Sequence, residues 1–172
     1  MKIIGNLKRN TMKIKFKKLH PDAKMPQKAH DDDFCYDVWA VSEEEVAPNV
    51  WKYGLGFAIQ LDNDYHVDWF DFSEKEEGYG CSKSIEGFTI RPRSSIWKTG
   101  MVLSNSLGTI DKGYTGEVSV VFYHVMPNMP RYKVGDKIAQ LHYDSTIDYK
   151  FFEVDELSET DRGTGSYGST GK

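Results

Sequence analysis

Gly116-Glu117-Val118-Ser119-Val120-Val121-Phe122-Tyr123-His124 is the stretch that decides the fold class of this chain. Its centre is rich in β-branched and aromatic residues, and a glycine precedes it, which is the pattern of a β-strand that leaves a turn. Runs of similar character recur along the chain, whereas helical periodicity is rare. These further strand-like runs are 13–19, 54–61, 65–72, 87–91, 137–144 and 149–154.

Many short strands separated by turns predict an all-β fold, a distorted jelly roll or β-barrel. One short helix is expected at 94–101, directly after Pro92. A length of 172 residues favours a single domain. We expect this β domain at 13–157, an N-terminal extension at 1–12 and a flexible glycine-rich arm at 158–172.

The charge balance argues against some classes of partner. The chain has 26 acidic and 22 basic residues and a net charge of −4, whereas nonspecific nucleic-acid binders normally carry a basic surface. No stretch approaches the length of a transmembrane helix, and the start of the chain lacks the apolar core of a secretory signal. We therefore expect neither direct nucleic-acid binding nor a membrane association.

The cysteines and histidines predict no metal centre of their own. Cys35 and Cys81 are the only two cysteines, and they fit neither a zinc spacing nor a disulfide framework. Free thiols are typical of reducing compartments, so we expect a cytoplasmic location. The five histidines are scattered along the chain without metal-ligand spacing.

The chain ends in a glycine-rich segment, Arg162-Gly163-Thr164-Gly165-Ser166-Tyr167-Gly168-Ser169-Thr170-Gly171. Glycines let backbone N–H groups approach an anion closely. Arg162 offers a planar fork for phosphate oxygens, and Tyr167 offers a flat face to a base or sugar. The segment predicts an arm that closes over a phosphate-bearing nucleotide. A disordered Gly/Ser tail is the alternative that composition alone leaves open.

Three upstream segments point to the same ligand. The segment 91–95, Arg-Pro-Arg-Ser-Ser, predicts a helix start whose free N–H groups bind phosphate. The segment 105–117 contains an Asp-Lys-Gly turn and predicts a β-hairpin that reads a base edge, with Asp111 placed to orient a water. The segment 135–141 predicts a strand in which Gln140 donates to a phosphate. Each alone is also compatible with an ordinary N-cap, hairpin or core strand.

In order and composition, the chain resembles the trimeric, all-β dUTP nucleotidohydrolases (dUTPases), and the resemblance covers nearly its whole length. It carries segments similar to all five family motifs. Cys35, Ser95, Ser166 and Tyr167 depart from the usual residues. Compared with the family pattern, the chain also has an insertion at about 62–86. The five segments are Phe-Cys-Tyr-Asp-Val at 34–38, Pro-Arg-Ser-Ser at 92–95, and the stretches 105–117, 135–141 and 162–171.

The resemblance implies hydrolysis of dUTP to dUMP and pyrophosphate by water attack at the α-phosphorus, assisted by Mg²⁺. This reaction limits uracil incorporation into DNA and supplies dUMP for thymidylate synthesis. It implies that Asp111 is the general base that orients the water. It also implies that Asp37 holds Mg²⁺ through a water molecule, in keeping with the hydration that Mg²⁺ usually retains.

The resemblance further implies which residues bind the substrate and that a homotrimer shares its active sites, with the arm of one subunit crossing to a neighbour. The phosphates are expected on Arg93, Ser94, Ser95, Gln140, Arg162, Ser169 and Thr170. The uracil and the deoxyribose are expected on Asn105, Gly108, Thr109, Ile110, Asp111, Tyr114 and Ser119. The arm residues Gly165, Tyr167 and Gly168 are expected to close over the nucleotide, with Tyr167 stacked on the uracil.

Two other functions remain open on the sequence. A dCTP deaminase, or a bifunctional deaminase-dUTPase, resembles this fold and is compatible with the segment 92–95. Deaminases generally lack the Asp…Tyr pattern of Asp111 and Tyr114 and a complete glycine-rich arm. A noncatalytic nucleotide sensor on the same scaffold is the second alternative, because a fold does not fix a function.

Overall fold

The computed structural model describes residues 12–61 and 84–165. All regular structure in these two ranges is β, apart from one short 3₁₀ helix at Ser94–Lys98. The strands in chain order are β1 (Ile14–Lys18), β2 (Tyr36–Trp39), β3 (Ser42–Ala47), β4 (Val50–Gly54), β5 (Phe57–Leu61), β6 (Ser84–Pro92), β7 (Met101–Leu103), β8 (Gly108–Asp111), β9 (Ser119–His124) and β10 (Lys137–Ile147).

Antiparallel pairing joins the described strands into two four-stranded sheets and a two-stranded one. The strand orders are β2-β10-β6-β8, β3-β4-β9-β7 and β1-β5. Both larger sheets are open in the described ranges, so the strands form a jelly-roll-like arrangement and not a closed barrel. The all-β prediction is confirmed.

One hydrophobic cluster is shared by the sheets. β2 and β10 contribute Val38 and Ile138, while β4 and β9 contribute Tyr53 and Phe122, and each of these four side chains is fully buried. Tyr53 and Phe122 pack edge to face, with ring centroids 5.9 Å apart. Because both larger sheets pack on this core, the ends of their strands have fixed positions relative to each other. The end of β8 and the start of β9 carry predicted site residues.

Some local predictions were wrong. The segment 105–117 is not a hairpin, because β8 pairs with β6 while β9 pairs with β4 and β7 in the other sheet. The helix expected at 94–101 is a 3₁₀ helix that stops at Lys98. The run 149–154 forms no strand. Its alternating apolar residues have no partner strand in the described chain, and Phe151 is 93% exposed.

Three predicted features lie largely or entirely outside the described residues. The N-terminal extension at 1–12 does so up to residue 11, and the strand expected at 65–72 does so entirely. Most of the insertion at about 62–86 does so too, although its last residues, from Ser84 onward, begin β6. In the described ranges, no helix is long and apolar enough to span a membrane.

Candidate functional site

The first part of the site lies where β8 ends. Asp111 is the last residue of β8, and its carbonyl accepts a hydrogen bond from the N–H of Tyr114 at 2.9 Å, which closes a tight turn. From this turn the chain crosses to β9 in the other sheet. A cavity of about 210 Å³ opens between the two strand ends. It is lined by Thr109, Ile110, Asp111, Tyr114, Glu117, Val118 and Ser119.

Five residues predicted to bind the uracil and the deoxyribose therefore meet in one hollow, although the segment is a crossover and not a hairpin. Asn105 and Gly108 lie beside this hollow and not in its lining. A Cβ at Gly108 would approach the Asn105 side-chain nitrogen to 3.3 Å. The side chain of Asn105 thus packs close over the backbone that leads into β8.

Tyr114 is held in position by its neighbours in the crossover. Its hydroxyl donates to the carbonyl of Glu117 at 2.9 Å. The ring lies against Gly116, where an added Cβ would come within 2.6 Å of the hydroxyl oxygen and 2.7 Å of the ring. Real Cβ contacts are essentially never that short, so the tyrosine can adopt this position only because residue 116 is glycine.

Glu117 is a site residue that the sequence reasoning missed. It lines the cavity, and its Oε1 accepts a hydrogen bond from the N–H of Gly56 at 2.9 Å. This contact ties the crossover to the turn between β4 and β5. The sequence shows Glu117 only as the start of a strand-like run, so its role as an anchor depends on a contact between residues distant in the chain.

A second cluster forms at the opposite edge of the β2-β10-β6-β8 sheet, around the carboxylate of Asp37 on β2. Asp37 and Gln140 are directly paired neighbours on β2 and β10. The carboxylate accepts hydrogen bonds from Arg93 Nε at 3.2 Å, from Lys137 Nζ at 2.9 Å and from Gln140 Nε2 at 3.3 Å. The structure thus brings the predicted metal-holding carboxylate together with two predicted phosphate-binding side chains.

Lys137 is the second site residue that the sequence reasoning missed. Strict alternation along a strand places residues 137 and 140 on opposite faces. The pairing of β10 with β2 shifts register between Lys137 and Ala139, however, and this irregularity allows Lys137 to reach the carboxylate of Asp37. The register shift is not visible in the sequence. The one available signal was that Lys137 lies within 135–141, a segment predicted to contact a phosphate.

The cluster keeps Asp37 in its charged form. Asp37 is only 5% exposed, and burial acts to raise the pKa of its carboxyl. The hydrogen bond from Lys137 and the positive charge of Arg93 outweigh burial, so the pKa lies below its usual value. A buried carboxylate of this kind is stable as an anion beside two cations.

Ser94 and Ser95 open the 3₁₀ helix directly after Arg93. Arg93 is the N-cap, with extended backbone angles and no side-chain cap hydrogen bond, and its carbonyl accepts the N–H of Ile96 at 3.0 Å. Ser94 is exposed and Ser95 is half-buried. Both hydroxyl-bearing residues therefore stand next to the Asp37 cluster at the start of the helix.

Asp37 is the one predicted metal-holding residue in this cluster. Within 12–61 and 84–165, no group of three or more His, Cys, Asp or Glu side chains is placed to hold a metal ion. Mg²⁺ in nucleotide sites commonly takes one or two carboxylates, several waters and the substrate phosphates. Asp37 offers one anionic carboxylate, whose Oδ1 and Oδ2 accept hydrogen bonds from Arg93 and Lys137 in the free protein.

The two parts of the site lie far apart in one chain. On β6, Arg91 is the partner of Gln140 and Gly87 is the partner of Asp111. These positions on β6 are about 13 Å apart along the strand, and the strand spacings from β2 to β8 add about 14 Å sideways. The backbones at Asp37 and Asp111 are therefore roughly 19 Å apart.

The arm begins in the described part of the chain. Arg162 is exposed, and its Nε donates to the carbonyl of Gly165 at 3.2 Å. The guanidinium thus contacts backbone only three residues further along the chain. It contacts neither part of the site. Four predicted arm residues lie outside the described residues: Tyr167, Gly168, Ser169 and Thr170.

Comparison with protein families gives one match, to the family model described as dUTPase, over residues 79–171. Among curated proteins, a deoxyuridine 5'-triphosphate nucleotidohydrolase of Helicobacter pylori is 32% identical over 162 residues, covering 93% of this chain and 97% of that protein. The protein of the same name from Clostridium tetani is 32% identical, with 92% of this chain and 97% of that protein covered.

Comparison with solved structures gives similar folds. A mutant dUTPase of Staphylococcus bacteriophage 80alpha, solved with dUpNHpp, has a TM-score of 0.68 at 21% identity and covers 93% of this chain and 99% of its own. A mutant dUTPase from phage phi11 of S. aureus, described as coordinating a structural Mg(II) ion, has a TM-score of 0.61 at 17% identity. It covers 86% of this chain and 99% of its own.

Proposed function

The chain belongs to the dUTPase family and is a dUTP-hydrolysing enzyme, and we propose that a water oriented by Asp111 attacks the α-phosphorus of dUTP. The new bond joins the water oxygen to the α-phosphorus, and the bond from that phosphorus to the bridging oxygen breaks. The products are dUMP and pyrophosphate. The observation that carries the proposal is the placement of Asp111 in the wall of the cavity formed by the crossover.

The cavity at the end of β8 takes the nucleoside. Backbone groups of Thr109 and Ile110, with those near Ser119, read the uracil edge, and Asp111 also contacts the sugar 3′-hydroxyl. The ring of Tyr114 packs under the deoxyribose and excludes a 2′-hydroxyl. Such rejection needs a rigid wall, because an apolar pocket alone discriminates poorly against an added hydroxyl. The contacts of Tyr114 with Gly116 and Glu117 supply that rigidity.

The cluster around Asp37 takes the phosphates. Arg93, with Ser94 and Ser95, holds the phosphate chain, and Gln140 contacts it near the α-phosphate. Mg²⁺, when bound, neutralises phosphate charge next to the carboxylate of Asp37. In the free protein Asp37 already holds Arg93 and Lys137 in place. These side chains are therefore positioned before the nucleotide binds.

Asp111 acts as the general base. Its side chain is solvent-accessible at the end of β8 and faces the cavity. A carboxylate there takes the proton of the attacking water as the oxygen–phosphorus bond forms, provided that the water lies within hydrogen-bond reach. Most of the remaining catalysis is positioning and charge neutralisation, as in other phosphoryl transfers.

We further propose a homotrimer in which each site takes its parts from different subunits. Asp37 and Asp111 lie on opposite edge strands of one sheet, roughly 19 Å apart by strand dimensions. We propose that one dUTP is bound by Asp111 of one subunit and by Asp37 of a neighbour. Head-to-tail contacts that close into a ring put such different surfaces together.

The exposed C-terminal segment supports the same assembly. Phe151 and Phe152 are 93% and 83% exposed, and Leu157 is 88% exposed. Phe151 and Phe152 are neighbours in the chain, and a contiguous exposed apolar patch is a mark of an interaction surface. We propose that the segment leads the arm to a neighbouring subunit, where Arg162, Ser169 and Thr170 contact the phosphates and Tyr167 stacks on the uracil. Gly165 and Gly168 would let the arm close tightly over the ligand.

We also propose an N-terminal extension at 1–12, an insertion at about 62–86 and a cytoplasmic location. Neither a deaminase nor a noncatalytic sensor is favoured by any feature of the site.

A nucleotide panel tests the function directly. Pyrophosphate release is measured from dUTP, dCTP, dTTP and UTP with Mg²⁺, and ammonia is followed in the dCTP reaction. We expect turnover of dUTP alone. Ammonia from dCTP would replace the proposal with a deaminase, and tight binding of dUTP without turnover would replace it with a sensor.

A further inference from the structure

Asp111 lies at the end of an edge strand. In the described ranges β8 pairs with β6 alone, through four residue pairs, and Gly87–Asp111 is the pair at the end of β8. Backbone pairing opens more readily next to a loop than in the middle of a sheet. A proposed general base at this place therefore needs support from beyond the strand pairing.

The turn that follows Asp111 borders open space. A cleft of about 550 Å³ lies beside it, and Asp111, Lys112 and Gly113 are among its lining residues. A Cβ added at Gly113 would meet no atom within 4 Å. The hydrogen bond from Tyr114 to Asp111 closes the turn, but it acts within the turn and does not tie the turn to the sheet.

An ion pair ties this turn to β6. Nζ of Lys112 donates to Oε2 of Glu86 at 3.0 Å. Glu86 directly precedes Gly87, the partner of Asp111, so the ion pair continues the link between β6 and β8 by one residue beyond the last backbone pair. The side chain of Glu86 is only 11% exposed, and that of Lys112 is 46% exposed. A partly buried pair of this kind is screened less by salt than a fully exposed one.

Glu86 is itself held from β10. Its Oε1 accepts a hydrogen bond from the hydroxyl of Tyr143 at 3.1 Å. The ring of Tyr143 packs edge to face on the buried ring of Phe88, with centroids 6.1 Å apart. The two carboxylate oxygens of Glu86 thus accept one donor from β10 and one from the turn after β8. The carboxylate therefore connects that turn to side chains packed in the sheet.

We propose that Glu86 is a positioning residue for dUTP hydrolysis, which holds Asp111 in place through Lys112. The inference rests on the proposed role of Asp111 as the general base. Because Lys112 directly follows Asp111, a fixed Lys112 restrains the peptide unit from which the Asp111 side chain projects. A general base acts only within hydrogen-bond reach of the attacking water. A displacement of about 1 Å can lower a rate by about 100-fold.

The inference gives the proposed insertion at about 62–86 a connection to the chemistry. Glu86 is the last residue of that range, and it already belongs to β6. The same strand thus joins the end of the insertion to the residue that follows the general base.

Glu86→Gln tests the role of the carboxylate charge. The amide keeps the size of the side chain and an oxygen that can accept from Tyr143, but it loses the charge that holds Lys112. We expect kcat for dUTP to fall about tenfold. We expect the affinity for the non-hydrolysable analogue dUpNHpp, measured by calorimetry, to stay within about threefold of wild type, because the nucleotide-binding groups remain.

Variants of Lys112 test the same contact from its other end. Lys112→Met should lower kcat as much as Glu86→Gln, and the double variant should lower it no further, because both changes break one interaction. Lys112→Arg keeps a cation that can reach Glu86 and should recover most of the loss. If Lys112→Met weakens dUpNHpp binding while Glu86→Gln does not, Lys112 binds the nucleotide itself and the inference is wrong.

Glu43→Gln is the matched control. It removes the charge of a carboxylate that is paired with Arg131 and lies in the other four-stranded sheet. We expect it to lower the stability of the fold and to leave kcat within about twofold of wild type. If Glu43→Gln lowers kcat as much as Glu86→Gln does, the loss reflects general destabilisation and the inference is wrong.

The Asp111→Asn background separates this inference from the proposed function. We expect Glu86→Gln to cause no further fall in the residual kcat of Asp111→Asn. If Asp111→Asn is fully active, the proposed general base is wrong and this inference fails with it. If Asp111→Asn is impaired while Glu86→Gln keeps the wild-type kcat, or if the two losses multiply, only the inference about Glu86 fails.

Discussion

Asp111 is the single residue on which the proposed chemistry depends most. Asp111→Asn keeps the size of the side chain and removes its ability to take a proton. We expect kcat for dUTP to fall at least about 100-fold, while affinity for dUpNHpp stays within a few-fold of wild type. Steady-state kinetics and calorimetry measure the two effects. Asp22→Asn, at an exposed carboxylate, is the control and should change neither; a fully active Asp111→Asn would remove Asp111 from the mechanism.

Gly116 sets the position of Tyr114, so its replacement tests sugar discrimination. In Gly116→Ala the new Cβ would overlap the Tyr114 ring and push it from its place. We expect KM for dUTP to rise about tenfold and the preference for dUTP over UTP to fall, because the wall under the sugar moves. Gly113→Ala is the matched control, since a Cβ there meets nothing within 4 Å. Equal kinetics for the two variants would show that Tyr114 is not that wall.

Single residues also show how far sequence reasoning reaches. Asp37, Asp111 and Gln140 were found because their segments resemble family motifs, and the structure places each at one of the two clusters. Lys137 and Glu117 were missed for a physical reason. The first contacts Asp37 at a register shift in the pairing of β10 with β2, and a contact to Gly56, distant in sequence, gives the second its role.

At the scale of elements, an ion pair fastens β3 to the segment before β10. Arg131 makes two hydrogen bonds to the carboxylate of Glu43, at 2.9 and 3.1 Å, and stacks on Trp51 at 3.5 Å. The hydrogen bond from Arg131 lowers the pKa of Glu43 more than burial raises it. A carboxyl whose pKa is lower in the folded state stabilises that state fully above its unfolded value of 4.5. This stability is lost as the pH falls through the lower folded pKa.

Glu43→Gln is therefore expected to lower the free energy of unfolding by about 1–3 kcal/mol at pH 7. Its difference from wild type should shrink as the pH falls below 4.5, where the wild-type carboxyl begins to take up a proton. Urea unfolding at pH 7 and at low pH measures this. Lys133→Met is the control, because Lys133 is 61% exposed and 3.9 Å from Glu43; it should change stability by less than about 0.5 kcal/mol. A pH-independent difference for Glu43→Gln would contradict the ion-pair explanation.

Strands were predicted where the local residue pattern is typical of a strand. β1, β5 and β9 fall within predicted strand-like runs, whereas β6 and β10 overlap their predicted runs, 87–91 and 137–144, and extend beyond them. β3 was missed because its sequence, Ser-Glu-Glu-Glu-Val-Ala, is acidic and mostly exposed. The supposed hairpin at 105–117 was wrong because an Asp-Lys-Gly turn specifies only the local bend. Which sheet the next strand joins is decided by the shared core.

At the scale of the whole molecule, the all-β class and the family could be predicted from the sequence. The separation of the site residues into two distant clusters could not be derived from sequence periodicity. Asp37 and Asp111 lie at opposite ends of a four-stranded sheet, separated by strand geometry that no motif spacing records. In the assembly that we propose, one dUTP is held by Asp111 of one subunit and by Arg93 and Asp37 of another.

Co-assembly of two inactive variants tests this shared arrangement. Asp111→Asn and Arg93→Ala chains are co-expressed with different tags, and doubly tagged oligomers are assayed for dUTP hydrolysis. If each site combines Asp111 of one subunit with Arg93 of a neighbour, every doubly tagged trimer has one site with two intact partners, which is about a third of its sites. We expect activity near that fraction of wild type. Mixed oligomers as inactive as either parent would contradict shared sites, because every chain would then carry its own defect.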